Sequence, residues 1–305
     1  MRKILLVIFL TFAASFTPIA AKYVVNTISP LSLAFLRFGA ATLMLLAVSY
    51  FLNVNLWIHK MDRMRFLVLG ALVIPINQFC FLMGIKLSVA SHSGVMYACT
   101  PLIVYLVSIK SGNETYNRSK LISISLTIAG IFIIFYENIF YPKQSGVNYL
   151  LGDLLLFLAV ASWSVYLALS KDMVTKYGAL KTQTLSFLIG IVMFIPVFLL
   201  DVKNLTFANS DVYTLLGYIH LTVVVAFGSY FLYSYSTKII ETSTLTTMTN
   251  MSPVITILFS WLLLNENLSY FFIIGATITM AGVFAAQKFG SGIPPSEKDK
   301  SKASG

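Results

Sequence analysis

Long apolar runs separated by short polar stretches alternate along nearly the whole chain. Each run is roughly 18 to 23 residues long, the length that an α-helix needs to cross the hydrocarbon core of a bilayer. The pattern predicts an all-α integral membrane protein with ten transmembrane helices, over residues 4–22, 31–52, 66–86, 89–109, 119–136, 149–170, 182–200, 212–235, 243–264 and 269–287. The polar residues 290–305 predict a disordered cytoplasmic tail.

One segment of the chain occurs twice, at an offset of about 152 residues, the difference between Pro253 and Pro101. The stretch 91–134 aligns with 243–286 without a gap, and this alignment pairs Gly130 with Gly282. Over residues 79–134, about fifteen of about fifty-six positions are identical at this offset. Apolar composition alone does not keep Pro, Asn-Glu and Ala-Gly in register, so the sequence predicts an internal duplication.

Composition supports the membrane class. The 305 residues are 58% hydrophobic and 10% charged, with a mean hydropathy of +0.84, whereas a soluble domain is usually about a quarter charged. A net charge of +10 would suggest nucleic-acid binding in a soluble protein, but basic cytoplasmic loops explain it here, and no nucleic-acid partner is predicted. Cys80 and Cys99 lie within apolar runs, so neither a disulfide framework nor a zinc site is expected.

The distribution of basic residues predicts the orientation. With the N-terminus inside, about sixteen Lys and Arg residues fall on the cytoplasmic side and about four fall outside. Five helices per half is an odd number, so we expect two repeats inverted in the membrane, over 1–138 and 139–289. The first apolar run also has features of a cleaved signal peptide, but the first half needs this helix to match the second, so we expect it to be retained.

The chain resembles the EamA family of the drug/metabolite transporter superfamily. The residues that carry the resemblance are Ser29-Pro30 with Leu33 to Phe38, the pairs Thr100-Pro101 and Ser252-Pro253, and Asn-Glu followed by a helix ending in Ala-Gly at 113–130 and 265–282. The resemblance covers nearly the whole chain outside the tail. It implies ten helices in two halves and the export of amino acids or other small metabolites, without specifying a substrate.

The predicted ninth helix begins with a polar face. Ser243, Thr246 or Thr247, Asn250 and Pro253 fall at helical spacing on one side. We expect Asn250 and the threonines Thr246 and Thr247 to line a substrate cavity. The alternative is that these hydroxyl and amide groups form hydrogen bonds between helices.

Other candidate substrate-binding residues are polar or aromatic side chains at membrane depth, where such groups usually face protein or water. They are Ser15, Lys22, Asn77, Gln78, Tyr97, Trp163, Tyr166 and Tyr230. Amides offer hydrogen bonds, rings pack on apolar parts of a ligand, and Lys22 attracts a carboxylate or phosphate unless it snorkels to the interface. Arg37 is expected to pair with backbone carbonyls or a helix end, and His92 to be a structural residue.

Pro101 and Pro253 each remove a backbone donor and are predicted to bend their helices. Their equivalent positions indicate paired hinges, with static kinks as the alternative. Carboxylates are scarce at membrane depth, so the sequence predicts no catalytic residue, no cofactor and no metal site.

The sequence therefore predicts a secondary transporter, not an enzyme, in the plasma membrane (the bacterial inner membrane), with both termini cytoplasmic. Its partners are a small-molecule metabolite and the lipid bilayer, and it is a monomer or homodimer. The alternatives are a membrane-embedded enzyme acting on a lipid, which needs clustered acids or a nucleophile–base pair, and a passive channel, which usually has a ring of repeated polar residues.

Overall fold

The computed structural model describes residues 2–110, 117–140, 148–207, 210–236 and 251–290 of the chain. The protein is helical within these ranges and has no strand there. The described α-helices are α1 (Arg2–Val24), α2 (Pro30–Phe51), α3 (Arg63–Ala71), α4 (Asn77–Leu87), α5 (Ala90–Ala98), α6 (Thr100–Lys110), α7 (Arg118–Phe140), α8 (Tyr149–Tyr177), α9 (Ala179–Asp201), α10 (Val212–Ile219), α11 (Tyr230–Ser236), α12 (Ser252–Leu264) and α13 (Tyr270–Gly290). Two π-helical segments join α3 to α4 (Leu72–Ile76) and α10 to α11 (His220–Ser229).

Eight helical stretches among the described residues are long and apolar enough to cross a membrane. The apolar helices Ser252–Leu264 and Tyr270–Ala286 are shorter. The all-helical membrane class predicted from the hydropathy pattern is therefore confirmed. The predicted helix over 89–109 is divided into α5 and α6, which are separated at Cys99.

The side chains divide between an apolar outer surface and a packed interior that includes many small polar groups. Leu43 and Phe132, in the middle of their helices, are 68% and 64% exposed, as expected for side chains that contact lipid. Ser164 and Thr127 are buried, and their hydroxyls donate to backbone carbonyls four residues earlier in their own helices. Small hydroxyl residues of this kind let membrane helices approach closely without leaving unpaired polar groups.

Helices α2 and α9 pack antiparallel, with polar contacts at both ends of the pair. Near the start of α2, the backbone N–H and the hydroxyl of Ser32 each donate to Asp201 Oδ2 at 3.0 Å. Near the end of α2, the hydroxyls of Ser49 and Thr184 are 3.1 Å apart. The repeat offset converts Ser32 to Thr184 and Ser49 to Asp201, so each contact is the counterpart of the other.

Helices α7 and α13 contact each other through a second reciprocal pair of contacts. A Cβ atom built on Gly130 would lie 2.4 Å from Thr279 Oγ1, and one built on Gly282 would lie 2.4 Å from Thr127 Oγ1. The offset converts Gly130 to Gly282 and Thr127 to Thr279. Such contacts require glycine because the backbone of the facing helix occupies the space of a side chain.

The two π-helical segments also lie at equivalent positions of the two halves. Leu72–Ile76 corresponds to residues 224–228, which fall within His220–Ser229. In the first segment Pro75 removes a backbone donor, and the Ser162 hydroxyl donates to the Leu72 carbonyl oxygen at 2.7 Å. A π-helical turn shifts the register of the residues that follow it, and such turns are frequent at functional sites.

Candidate functional site

A buried amide pair follows the first π-helical segment directly. Asn77 and Gln78 are 1% and 2% exposed. Asn77 Nδ2 donates to the Ala159 carbonyl oxygen at 2.7 Å and lies 3.5 Å from the Tyr97 hydroxyl. Gln78 Nε2 donates to Asn77 Oδ1. The first π segment therefore presents two amides to α8 and α5, where the first-half candidates Asn77, Gln78 and Tyr97 form one hydrogen-bonded group.

Three aromatic rings form the second part of the site. The Trp163 ring stacks on Tyr166 with centroids 5.4 Å apart and meets Tyr230 at 4.8 Å. Tyr230 is the first residue after the second π-helical segment and also makes edge contacts with Phe38 at 6.0 Å and Phe187 at 5.5 Å. The predicted candidates Trp163, Tyr166 and Tyr230 are thus brought together by α8 and α11.

The amide group and the aromatic group are neighbours. The Gln78 side chain lies beside the Tyr230 hydroxyl, and its Oε1 atom has no hydrogen-bond partner among the described residues. Gln78 and Tyr230 occupy the same position in the two halves. We call the six residues Asn77, Gln78, Tyr97, Trp163, Tyr166 and Tyr230 the amide–aromatic cluster. It combines hydrogen-bonding amides with ring faces, which is the lining that binding pockets for small amphipathic molecules use.

Arg37 lies beside this cluster. Its contacts differ from the predicted pairing with backbone carbonyls or a helix end. Its side chain is 1% exposed, and its Nε and Nη1 atoms have no hydrogen-bond partner among the described residues. The guanidinium carbon is 4.9 Å from the centroid of the Phe38 ring. The side chains of Tyr97, Tyr218 and Tyr230 lie near the guanidinium.

Ser15 and Lys22 lie elsewhere. The Ser15 hydroxyl donates to the Thr11 carbonyl oxygen at 2.6 Å, and its own carbonyl accepts a bond from Thr256 Oγ1 at 2.9 Å, so Ser15 joins α1 to α12. Lys22 Nζ donates to the carbonyl oxygens of Ile85, Lys86 and Ser88 at the end of α4. An ammonium group at a helix C-terminus satisfies carbonyls that lack partners within the helix, so these contacts give Lys22 a capping role.

The candidates Thr246, Thr247 and Asn250 lie outside the described residues. Pro101 and Pro253 both lie at the first turn of a described helix, and their role as hinges or static kinks stays a prediction. Pro101 is the second residue of α6, and Pro253 is the second residue of α12. At the start of a helix the missing N–H of proline costs no intrahelical hydrogen bond.

Sequence reasoning missed a polar network at the end of the bundle predicted to face outward. His92 Nδ1 lies 2.9 Å from the Asp153 carboxylate, and the Ser88 hydroxyl donates to the same carboxylate. Glu266 accepts hydrogen bonds from the backbone N–H groups of Ala90 and Ser91 at 2.6 and 2.9 Å, where a carboxylate at a helix N-terminus is stabilised. We call Lys22, Ser88, His92, Asp153 and Glu266 the outer-end network. It connects α1, α5, α8 and the α12–α13 loop.

At the same end of the bundle, the carboxyl group of Asp211 lies outside the membrane-spanning helices and has a lowered pKa. The Tyr23 hydroxyl donates to Asp211 Oδ2 at 2.6 Å, and the Thr214 backbone N–H donates to Oδ1 at 2.7 Å. These bonds favour the charged form and lower the pKa of Asp211 to about 2. No group of three or more His, Cys, Asp or Glu residues suited to a metal ion is found among the described residues.

Comparison with known proteins places these features in a family. The family model for the EamA-like transporter family matches residues 1–136 and 150–286. An uncharacterized transporter of Archaeoglobus fulgidus is 25% identical over 286 residues, covering 90% of this chain and 93% of the relative. The uncharacterized transporters YetK and YoaV of Bacillus subtilis are 25% and 23% identical, over 87% and 93% of this chain and 81% and 96% of their own lengths.

A known crystal structure has the same fold. It superposes with a TM-score of 0.66 over 96% of this chain and 99% of its own, at 15% sequence identity. The relatives are named transporters, in agreement with the family model. Because that model matches most of the chain in two successive segments, the chain belongs to the EamA-like transporter family.

Proposed function

We propose that this chain is a secondary transporter that exports a small metabolite, such as an amino acid, by alternating access. Ten transmembrane helices form two inverted five-helix repeats, residues 1–138 and 139–289, with the tail 290–305 in the cytoplasm. The chain is a monomer or homodimer in the plasma membrane, the inner membrane of a bacterium, with both termini cytoplasmic.

The observation that carries this proposal is the reciprocity of the contacts between the halves. The Gly130–Thr279 contact has its counterpart in Gly282–Thr127, and the Ser32–Asp201 contact has its counterpart at Ser49 and Thr184. Contacts that exchange under the repeat offset are what a pseudo-two-fold axis between the halves produces. When that axis lies in the membrane plane, the two halves have two equivalent arrangements, one open to each side.

The amide–aromatic cluster supports a substrate site between the halves. Gln78 and Tyr230 are equivalent residues contributed by different halves, so a ligand placed between them touches both moving parts. Trp163 and Tyr230 offer ring faces and Asn77 offers an amide, which suits a small molecule with both a polar and an apolar end. The candidates Asn250, Thr246 and Thr247 are proposed to complete the wall of this site.

The outer-end network supports the gating part of the proposal. The His92–Asp153 pair joins α5 to α8, and the Glu266 bonds to Ala90 and Ser91 join the α12–α13 loop to α5. In this proposal these contacts close the outer end of the bundle. An outward-open state has to separate at least one of these contacts. Alternating access then consists of breaking this network while new contacts form at the cytoplasmic end.

Counterflow in proteoliposomes tests the function. Vesicles containing the purified protein are loaded with one unlabelled L-amino acid at a time, and uptake of the same labelled amino acid is followed. A carrier shows uptake accelerated by substrate on the opposite side, and a channel does not. Flux without this acceleration would contradict the proposal and favour the channel.

A matched pair of tryptophan variants locates the site. Trp163→Ala removes a ring of the amide–aromatic cluster, and we expect a roughly fivefold loss of exchange, because an aromatic contact contributes about 1 kcal/mol beyond its buried area. Trp57→Ala removes a tryptophan that is 73% exposed and is expected to exchange at the wild-type rate. Equal rates for the two variants would move the site away from this cluster.

A further inference from the structure

Arg37 is a buried cation without a compensating anion in the described part of the protein. It is one of the largest fully buried side chains. The described ion pairs are His92–Asp153 and Lys176–Asp62, and neither includes Arg37. Nε and Nη1 donate no hydrogen bond to any described residue.

A buried guanidinium without an anion destabilises the protein unless an anionic ligand binds to it. An uncompensated charge in an apolar interior costs several kcal/mol, and arginine does not relieve this cost by losing its proton. Proteins usually pair a buried guanidinium with a carboxylate or phosphate, whose oxygens match its planar donors. A ligand anion that enters and leaves the interior meets this need in a transporter, since it pairs the charge only while it is bound.

The surroundings of Arg37 match a ligand better than a fixed internal partner. The guanidinium lies near Tyr97 and Tyr230 of the amide–aromatic cluster. The Gln78 side chain lies beside Tyr230, and its Oε1 atom accepts no hydrogen bond from any described residue. Free donors on Arg37 and a free acceptor on Gln78 are thus both present around the Tyr230 ring, and they are complementary to a molecule that carries a carboxylate and an amino group.

We propose that Arg37 binds the carboxylate of the transported molecule, so that the substrate class is small carboxylic acids, and α-amino acids in particular. The assignment rests on the proposed transport function. The α-carboxylate accepts hydrogen bonds from Nε and Nη1 of Arg37. The ammonium group donates to Gln78 Oε1, and the side chain packs against the rings of Trp163 and Tyr230.

Ligand discrimination tests this assignment directly. Purified full-length protein is titrated with each proteinogenic L-amino acid and with the corresponding amino-acid amide, which lacks the carboxylate charge. The wild type is expected to bind at least one acid about 10-fold to 100-fold more tightly than its amide, the range for losing a hydrogen bond to a charged group. Arg37→Met is expected to bind both forms equally. The surface variant Arg63→Gln is the control for loss of a cation and is expected to keep the wild-type ratio.

The stability of the ligand-free protein separates a ligand-binding Arg37 from a structural one. Arg37→Met keeps the length of the side chain and removes the unpaired charge, so the unfolding midpoint is expected to stay the same or to rise. A midpoint well below that of the wild type would show that Arg37 has a permanent partner, and would overturn the assignment. Arg37→Lys, which keeps the charge without the planar fork, is expected to retain a reduced preference for the acid.

The outcomes distinguish this inference from the transport proposal. A wild type that binds acids and amides equally, or binds amides more tightly, overturns the role of Arg37 whatever the transport result. If amines show counterflow and carboxylates do not, the transport proposal is supported and the assignment of Arg37 to the substrate carboxylate is wrong. Preference for the acid without counterflow of any substrate supports the Arg37 site and overturns the proposed transport.

Discussion

The contact between α7 and α13 predicts that alanine is not tolerated at Gly130. A Cβ atom there would lie 2.4 Å from Thr279 Oγ1, 2.5 Å from the Gly275 carbonyl oxygen and 2.6 Å from the Thr279 backbone nitrogen. An ordinary contact of a Cβ atom is 3.4–4 Å, so the two helices have to separate by about 1 Å. Two of the three atoms belong to the backbone, and a rotamer change does not relieve those contacts. Overpacking of this kind costs about 1–3 kcal/mol.

The equivalent contact at Gly282 gives a second test of the same helix packing. A Cβ atom on Gly282 would lie 2.4 Å from Thr127 Oγ1 and 2.7 Å from the Thr127 backbone nitrogen, so Gly282→Ala is expected to cost a similar free energy. The double variant is expected to cost less than the sum of the single variants, because the separation that relieves one clash also relieves the other.

Equilibrium unfolding by SDS titration in mixed micelles measures these free energies. The control is Gly39→Ala, at a helical glycine with no atom within 4 Å of an added Cβ, and it is expected to be neutral or to stabilise by up to about 1 kcal/mol. If Gly130→Ala unfolds at the same SDS fraction as Gly39→Ala, the close packing of α7 on α13 is refuted. Additive costs in the double variant would refute the reasoning that one helix contact contains both glycines.

Three further predictions concern the helix ends and the orientation. The hydrogen bonds from Tyr23 and Thr214 together lower the pKa of Asp211 from 3.8 to about 2, so this carboxylate stabilises the fold above pH 3.8 and its contribution is lost as the pH falls through 2. Unfolding measured across this interval should show that component in the wild type and not in Asp211→Asn. Lys22→Met should lower the free energy of unfolding by about 1–3 kcal/mol, because three carbonyls lose a charged donor, while ligand affinity measured by titration stays the same; the reverse result would return Lys22 to the binding site. In a background without native cysteines, a cysteine at Asn204 should react with an impermeant thiol reagent in intact cells and one at Lys60 should not, and the opposite labelling would invert the proposed orientation.

The sequence alone determined the class of protein and much of its organisation. Long apolar runs have few ways to satisfy backbone groups in a bilayer, so hydropathy predicts the helices without knowledge of their packing. Pairs such as Gly130 and Gly282 reveal the duplication because a repeat is a property of residue order. Polarity at membrane depth was enough to select Asn77, Gln78 and Tyr97, which the structure brings into contact.

Only the tertiary structure decided which polar groups find partners. Lys22 and Arg37 are both cations in apolar helices, but the end of α4 lies within reach of Lys22 and no described acceptor lies within reach of Nε and Nη1 of Arg37. His92 and Asp153 are far apart in sequence, and no local pattern signals their pairing. The length and hydropathy of the apolar runs predict which residues are helical. The partner of a buried charge depends instead on how the helices are placed against one another, and that placement is a long-range property of the packed bundle.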